Sequence, residues 1–433
     1  MLDVTSRRSF LQSVMALTAS FPVLPTLLHA VEKPSRRPRS PNEKLNLGVI
    51  GVAGRGGDNL NSVTSENIVA LCDIDRTHLE PVARLFPAAK AHEDFRRLLD
   101  HKDLDAILVS TPDHMHAIPV AAALRLGLDV YCEKPLAHSV HEVRTLRELA
   151  TKHQCITQMG TQIHADDNYR RAVEIVKAGL IGAVKRVHVW HNNRPMPGTR
   201  AKEGTPPAHI NYDMWLGPAP ERPFHPSHFH FKWRYWWDFG GGTLGDFGCH
   251  YMDLPFWALD LDAPSSVEAT GNKDYEGDNE VPGVMRVEYQ FPARGEQPPV
   301  HLTWYHGGWV PEGAEEYKKD AAVLFEGEKG RLLADYGTHR VFLGDSKAEF
   351  VSPKPTIPSS IGHHEEWIQA VKTRGPTTCN FHYSGALAEA VLLGNVSYRA
   401  GKKLEWDAKA LKALNCSEAA GFVQREYRKG WTL

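Results

Sequence analysis

Two side chains that could move a proton stand four residues apart, just after a run of glycines at 240–242. Residues 244–259 are predicted to be helical, so Asp246 and His250 share one face, with Asp253 three residues further on. Histidine can take up a proton near neutral pH, and a nearby carboxylate can orient its ring and stabilise its cation. The spacing indicates an acid/base pair; alternatively, Asp246 caps the helix and His250 is an ordinary packed histidine.

A lysine that could stabilise charge on oxygen lies in Glu133-Lys134-Pro135, directly after a strand-like run at 129–132. The carboxyl ends of parallel strands face the ligand crevice, so we expect Lys134 to point at bound cofactor or substrate. The proline would fix the turn. An ammonium there could bind a substrate hydroxyl and stabilise the alkoxide that forms as hydride leaves. The alternative is a surface lysine in a turn.

A glycine turn that could hold a pyrophosphate follows the first apolar run, as Gly51-x-Ala53-x-x-Gly56. Gly51 suits the tight turn and Gly56 a close approach of helix and strand, while Gly54 can relieve crowding by Ala53. Asp73 ends the next strand, where an acid accepts hydrogen bonds from the adenosine ribose. A carboxylate there repels a 2′-phosphate, so NAD is favoured over NADP, although Arg76 lies nearby.

Histidines and aromatic residues are concentrated between residues 225 and 237. His225, His228 and His230 could bind a metal at this spacing. No fourth ligand is evident and the proposed chemistry needs no metal, so we predict none. The aromatic residues could form a stacking wall for a sugar ring, or they could be core or interface packing.

Short apolar runs and longer amphipathic segments alternate along the chain, and these segments must position the residues described above. Strands are predicted at 45–50, 68–72, 106–110 and 129–132, and helices from the glycine turn to about 63 and at 77–86, 116–126 and 140–152. This alternation predicts a doubly wound parallel sheet, a Rossmann domain over 45–160. Strands with a period of two follow at 184–189, 284–291, 300–305, 323–324 and 332–333, and helices at 168–178, 365–373 and 384–399. We therefore predict an α+β domain with a mixed, largely antiparallel sheet over 161–433.

Four motifs in this order resemble the Gfo/Idh/MocA oxidoreductases, the family of glucose–fructose oxidoreductase and inositol dehydrogenase. They are Gly51-x-Ala53-x-x-Gly56, Thr111-Pro112-Asp113-His114-Met115-His116, Glu133-Lys134-Pro135-Leu136, and the run 240–250 with its Asp246 and His250. The resemblance covers about residues 45–405. It departs from the family at Ala53, where many members have glycine.

The resemblance implies an NAD(H)-dependent enzyme that transfers hydride between a sugar, sugar derivative or polyol and a tightly held nicotinamide cofactor. It places Lys134 near the nicotinamide, and Asp246 with His250 as the substrate-site acid/base pair. The cofactor site it implies consists of Gly51, Ala53, Gly54, Gly56, Asp73, Thr111, Pro112, His116, Glu133 and Lys134. Two alternatives remain: a redox-neutral, NAD-dependent enzyme that cleaves glycosides, and a non-catalytic sugar- or nucleotide-binding sensor. The family also implies a homo-oligomer.

The first thirty residues resemble a twin-arginine (Tat) export signal. Arg7-Arg8 precede an apolar stretch at 14–28, which Pro22 and Pro25 interrupt. The stretch is too short for a stable membrane span, although a basic terminus with an apolar anchor is the alternative. Residues 31–44 are proline-rich and charged, as in a linker. We therefore predict a periplasmic protein, where no obvious pool of NAD is available for exchange, which favours a redox-neutral cycle.

The composition is that of an ordinary globular protein. Of the 433 residues, 42% are hydrophobic, and the net charge of -2 gives no reason to expect nucleic acid as a partner. The six cysteines contain no C-x-x-C pair, and several lie in apolar runs. A Tat substrate folds in the reducing cytoplasm, so we predict no disulfide framework.

Overall fold

Short apolar segments between residues 45 and 160 form a parallel β-sheet with helices between its strands, as predicted. The computed structural model describes residues 38, 40, 42–199, 203–344 and 350–433, which form one compact unit. The predicted export signal lies outside the described residues. The strands are β1 Asn46–Ile50, β2 Asn67–Cys72, β3 Lys90–His92, β4 Ala106–Val109, β5 Asp129–Glu133 and β6 Thr157–Gly160. The helices are α1 Arg55–Asn61, α2 Arg76–Leu85, α3 Phe95–Leu99, α4 Ala117–Arg125, α5 Val140–His153 and α6 Asp167–Lys177.

The strand order of this first sheet is β3-β2-β1-β4-β5-β6, and every pair is parallel. This is the order of a dinucleotide-binding doubly wound sheet, whose crevice opens at the carboxyl ends of β1 and β4. Two strands carry no apolar run and were not predicted. β3 is a three-residue edge strand that is largely exposed, and β6 buries the mostly polar sequence TQMG.

The second sheet is mixed and mostly antiparallel, which confirms the predicted fold class. Its order within the described residues is β13-β12-β11-β7-β10-β9-β8-β14-β15, and only β7 and β10 pair in parallel. The strands are β7 Val184–His191, β8 Ser266–Asn272, β9 Val284–Phe291, β10 Val300–His306, β11 Ala321–Gly327, β12 Gly330–Ala334, β13 His339–Leu343, β14 Leu404–Asp407 and β15 Lys412–Ala413. The helices are α7 Tyr212–Leu216, α8 Gly242–Tyr251, α9 Asp253–Leu259, α10 His363–Thr373, α11 Phe381–Ala400 and α12 Ala420–Val423.

The single helix predicted at 244–259 is two helices, because α8 ends at Tyr251 and α9 begins at Asp253. Pro255 lies in the first turn of α9, where its missing N–H is tolerated, and it could not continue α8. Asp253 consequently lies on a different helix from Asp246 and His250.

A late segment of the chain returns to the first sheet. In α10, Trp367 and Ile368 pack with Leu47 of β1 and Tyr131 of β5 in one buried cluster. On α11, Glu389 accepts hydrogen bonds from Arg144 of α5 at 2.8–2.9 Å. These contacts join the C-terminal helices to the nucleotide half of the molecule.

All six cysteines are free thiols in the structure. Among the described residues, no helix combines the length and apolar character needed to cross a bilayer.

Candidate active site

A cavity of about 870 Å³ lies at the carboxyl ends of the parallel strands. The turns after β1, β2, β4 and β5 line one side of it, and α8 with the 3₁₀ turn His230–Tyr235 lines the other. This is the crevice in which such sheets bind ligands. The predicted site residues that line it are Gly51, Ala53, Gly54, Asp73, Thr111, Pro112, Glu133, Lys134, Asp246 and His250. Gly56 and His116 are buried behind its wall.

In the turn after β1, glycine backbone without side chains lines the cavity. Gly51 has a φ of +84°, and a Cβ there would lie 2.6 Å from the carbonyl oxygen of Ser110. A Cβ on Gly56 would lie 2.1 Å from the carbonyl oxygen of Gly51, so both positions require glycine. Gly54 has a φ of +54° with open space around it, and Ala53 is accommodated with its side chain partly exposed. The turn is thus shaped for close approach of a phosphate group.

Asp73 lies at the end of β2 beside this turn. Its carboxylate accepts the backbone N–H of Val52 and that of Asp75, each at 3.0 Å. Burial raises the pKa of Asp73, although these two hydrogen bonds oppose the rise. A carboxylate offers about four acceptor sites, so capacity remains for ribose hydroxyls. Arg76 turns away, because its guanidinium donates to the carbonyl of Ala208 at 2.5 Å.

Lys134 and Asp246 form an ion pair on the cavity wall. Lys134 Nζ lies 2.5 Å from Asp246 Oδ1 and 2.7 Å from the backbone oxygen of the same residue. Burial acts to raise the pKa of Asp246, but the charges of Lys134 and Arg234 outweigh it and hold that pKa well below its usual range. The hydrogen-bond partner of the Asp246 carboxylate is therefore Lys134, and the charge of Asp246 also favours the protonated form of His250, the residue predicted to act with it.

His250 lies one helical turn after Asp246 and also lines the cavity. Burial, followed by the charge of Lys134, lowers the pKa of His250 to about 3, while Asp246 acts in the opposite direction. The ring is therefore neutral at pH 7 and able to accept a proton. Its buried Nδ1 has no hydrogen-bond partner among the described residues.

Asp253 does not take part in this site. Its carboxylate is fully buried and lies 2.9 Å from His164 Nδ1, and it accepts the hydroxyl of Tyr383 at 2.7 Å. This network belongs to the packing of α9 against its neighbours.

Two further charged residues of the site were not assigned from the sequence. Arg234 Nε lies 3.4 Å from Asp246 Oδ1, and its guanidinium stacks 4.2 Å from the ring centre of Trp233. Asp113 is buried between these charges, and burial raises its pKa to about 7 although Arg234 and Lys134 oppose this. Asp113 belongs to a motif already quoted, whereas Arg234 is one cation within an aromatic stretch and carries no distinguishing signal.

The remaining predicted cofactor residues shape the wall. The buried carboxylate of Glu133 accepts the side-chain amide of Asn59 at 3.0 Å. The two ring nitrogens of His116 lie 2.7 Å from the carbonyl oxygens of Pro135 and Thr111, so His116 ties together the turns after β4 and β5. His116 supports the site without facing the cavity.

The three histidines considered as metal ligands do not converge. His225 caps the 3₁₀ turn that follows it, and His228 Nε2 lies 3.1 Å from the hydroxyl of Tyr212. Only His230 faces outward, towards Asp75. Most nearby aromatic residues are core, in a buried cluster that includes Trp215, Phe229, Trp233, Trp236 and Phe239. The aromatic side chains of this region that line the cavity are Trp215, Phe231 and Trp233.

Two family models match the chain. Residues 45–161 match the model described as "Oxidoreductase family, NAD-binding Rossmann fold", and residues 175–433 match "Oxidoreductase family, C-terminal alpha/beta domain". Both belong to one family, and together they account for nearly all described residues.

Sequence relatives include inositol 2-dehydrogenases. The chain is 32% identical to inositol 2-dehydrogenase 3 of Saccharopolyspora erythraea over 181 residues, which is 40% of this chain and 53% of the relative. It is 32% identical to that of Serratia proteamaculans over 155 residues, 34% of this chain and 46% of the relative. The chain thus spans about half the length of the curated relatives it matches.

Solved structures share the fold over most of the chain. A WlbA dehydrogenase from Bordetella pertussis, in complex with NADH and UDP-GlcNAcA, has a TM-score of 0.62 at 15% identity, over 84% of this chain and 99% of that one. An aldose-aldose oxidoreductase from Caulobacter crescentus, complexed with glycerol, has a TM-score of 0.60 at 17% identity, over 84% of this chain and 100% of that one.

Proposed function

The chain belongs to the Gfo/Idh/MocA oxidoreductase family, and on this basis we propose that it transfers hydride between a sugar or polyol CH–OH group and NAD. The observation that carries the proposal is the placement of Lys134, Asp246 and His250 on one cavity with the glycine turn and Asp73. A protein that only binds a sugar or nucleotide would need the glycine turn but not side chains that transfer a proton.

The residues present fit a dinucleotide. The bare backbone at Gly51 and Gly54 would receive the pyrophosphate, and Asp73 would bind the ribose hydroxyls. The guanidinium of Arg76 donates to the carbonyl of Ala208, so this cation is not available to a 2′-phosphate, which supports NAD over NADP. When bound, NAD supplies the nicotinamide ring that accepts or returns the hydride.

The side chains of the chain perform the proton chemistry. The neutral ring of His250 accepts the proton of the substrate hydroxyl, and Lys134 stabilises the negative charge that develops on the oxygen. Asp246 holds the Lys134 ammonium in place and keeps a counter-charge beside the imidazolium that forms. His250, Lys134 and Asp246 all act on charge that appears only as the C–H bond of the substrate breaks.

The proposal is tested by single-turnover reaction of the NAD-loaded protein with a panel of sugars, polyols and glycosides, followed by absorbance of the reduced nicotinamide. His250→Ala should slow the reaction by about 10²–10⁴, the usual worth of general acid–base catalysis. The exposed His382→Asn is the matched control and should react at the normal rate.

Three outcomes would change the assignment. Equal rates for His250→Ala and the natural protein would move the proton to another group. Tight sugar binding with no reduced cofactor or keto-sugar would show a binding module. Release of an aglycone without net reduction of NAD would show the redox-neutral, glycoside-cleaving enzyme.

We also propose that the protein is exported to the periplasm through the Tat pathway, since Arg7-Arg8 precede a short apolar segment. Replacement of both arginines by lysine should leave the protein in the cytoplasm. Undiminished delivery of the doubly substituted protein to the periplasm would contradict the proposal.

We further propose a homo-oligomer that pairs through the open face of the second sheet. This face carries polar side chains such as Arg286 of β9 and His301 of β10. Light scattering of the purified protein should give a mass of at least two chains, and a monomer mass would contradict the proposal.

A further inference from the structure

Four potential metal ligands from three separate segments lie close to one another beside the cavity. Asp75 and His78 lie at the start of α2, His209 lies before α7, and His230 begins the 3₁₀ turn that lines the cavity. From the carboxylate of Asp75, the nearest nitrogens lie at 3.4 Å in His230, 3.9 Å in His78 and 3.9 Å in His209. Ligand atoms of Asp75, His78 and His230 all lie within 4.8 Å of one another.

Backbone hydrogen bonds join two of these segments, that of Asp75 and that of His209, independently of the side chains. The N–H of Arg76 donates to the carbonyl of His209 at 3.0 Å, and that of Asn211 to Ile74 at 2.8 Å. His230 has a φ of +51°, a left-handed conformation that is unfavourable for a residue with a side chain. Strain of this kind is concentrated at binding sites.

The carboxylate of Asp75 is prepared as a ligand. Its Oδ1 accepts the backbone N–H of Thr77 at 2.8 Å and the Thr77 hydroxyl at 2.6 Å, which fixes the orientation of the group. Its Oδ2 is the oxygen nearest to His78 and His230. The side chain of Asp75 is only 2% exposed, whereas the three histidines are 35–51% exposed and reachable from solvent.

We propose that Asp75, His78, His209 and His230 bind one divalent transition-metal ion, Zn²⁺. Zinc is bound tetrahedrally by imidazole nitrogen and carboxylate oxygen at about 2.0–2.2 Å, which puts neighbouring ligand atoms roughly 3.3–3.6 Å apart. His230 and His78 lie 3.4 and 3.9 Å from Oδ2 of Asp75, which approaches this geometry. His209 lies 3.9 Å from Oδ1, so its side chain has to rotate towards Oδ2 to complete the set. Imidazole with a single carboxylate favours zinc over calcium or magnesium, which prefer oxygen ligands.

The metal has a structural role that is independent of the proposed hydride transfer. Four protein ligands leave no open position for a reacting group. The ion joins the segments around His209 and His230 to the end of β2, two residues after Asp73. His78 and His230 line the cavity, so the metal holds one wall of it in place.

The test measures zinc in protein that carries no polyhistidine tag. After exposure to zinc alone and gel filtration, elemental analysis should find one zinc per chain. Asp75→Asn and His230→Ala should each lose most of it, and asparagine can still cap α2 through Thr77. The exposed His382→Asn should retain the full amount. Less than about a fifth of a zinc per chain in the natural protein, or equal loss in His382→Asn, would overturn the proposal.

Cobalt provides a second measurement that needs no enzymatic activity. Co²⁺ in place of zinc should give the intense visible absorption of a tetrahedral site, and His209→Ala should weaken it. A weak spectrum typical of six-coordinate cobalt would overturn the four-ligand set. Thermal unfolding of the natural protein should shift upward with zinc, and a shift that persists in Asp75→Asn would assign the ion to another place.

Discussion

Burial and the neighbouring charges do not all shift the pKa of His250 in the same direction. Burial and the charge of Lys134 disfavour the imidazolium, and Asp246 favours it, which leaves a pKa of about 3. The ring therefore stays neutral far below the 6.5 of a free histidine. We expect kcat/KM to show no loss from protonation of His250 between pH 8 and 5, measured with any substrate that the panel identifies.

The matching variant for this measurement is His250→Gln. Asp113 has a pKa of about 7 and contributes its own titration, which the natural protein and the variant share. An acid limb near pH 6.5 that is present in the natural protein and absent from His250→Gln would refute the low pKa of His250.

We expect Asp73 to determine the preference for NAD over NADP. Asp73→Ala should weaken NAD binding by about tenfold to a hundredfold, since a hydrogen bond to a charged group contributes roughly 1.5–3 kcal/mol. The preference for NAD over NADP should narrow or reverse, because the repelling charge is gone. Calorimetric titration with both cofactors measures this, and Arg76→Ala should leave the preference unchanged. Equal affinity of the natural protein for both cofactors would show that Asp73 does not face the ribose.

At the scale of elements, the contact between β1 and α1 depends on Gly56. A methyl group there would lie 2.1 Å from the carbonyl oxygen of Gly51, which is backbone and cannot move aside. Gly56→Ala must therefore displace α1 from the sheet and distort the turn that faces the cavity. We expect a loss of several kcal/mol in the free energy of unfolding, as for other overpacked cores, and a large loss of NAD affinity.

The neighbouring glycine of the same helix provides the control. A Cβ on Gly57 would lie 3.3 Å from the nearest atom, the Val52 carbonyl oxygen, and the residue has no positive φ. Gly57→Ala should be nearly neutral or slightly stabilising, because alanine favours the helix by about 1 kcal/mol over glycine. Denaturant unfolding measures the free energy of unfolding of the two variants. Equal losses would show that the close approach of α1 to β1 does not exclude a side chain at residue 56.

At the scale of the whole molecule, buried neutral histidines link stability to pH. Seven buried or partly buried histidines of the described chain have a pKa that burial lowers to about 3 or 4: His114, His116, His191, His250, His306, His363 and His364. Between pH 6.5 and about 4, the unfolded chain binds these protons and the folded chain does not. Stability should therefore fall as the pH falls through this window.

Asp113 has the opposite effect on proton uptake. The folded state keeps the proton of this carboxyl group up to about pH 7, so unfolding releases it. The seven histidines outnumber this one carboxyl group, so unfolding at pH 5 should take up several protons in total. Calorimetry in buffers of different ionisation enthalpy measures this uptake, and the unfolding temperature should be lower at pH 5 than at pH 7.5. His306→Gln should reduce the uptake by about one proton, and an uptake near zero in the natural protein would contradict the prediction.

The sequence by itself determined the class of both sheets, the central strands of the first sheet and much of the cavity lining. Short apolar runs separated by amphipathic ones predict parallel strands, and parallel strands bring their carboxyl ends to a common edge. The glycine turn, Asp73 and Lys134 each follow a strand, so their convergence required only the topology. His250 could be added because its helix follows the glycine run and the resemblance assigned it to the site.

Only the tertiary structure decided which side chains meet across distant segments. Local spacing put Asp246 beside His250, but the carboxylate binds Lys134, which lies 112 residues earlier. The return of α10 to the first sheet and the meeting of Asp75 with His209 and His230 are of the same kind. Periodicity specifies which face of an element is buried, whereas the partner of that face depends on the packing of the whole chain.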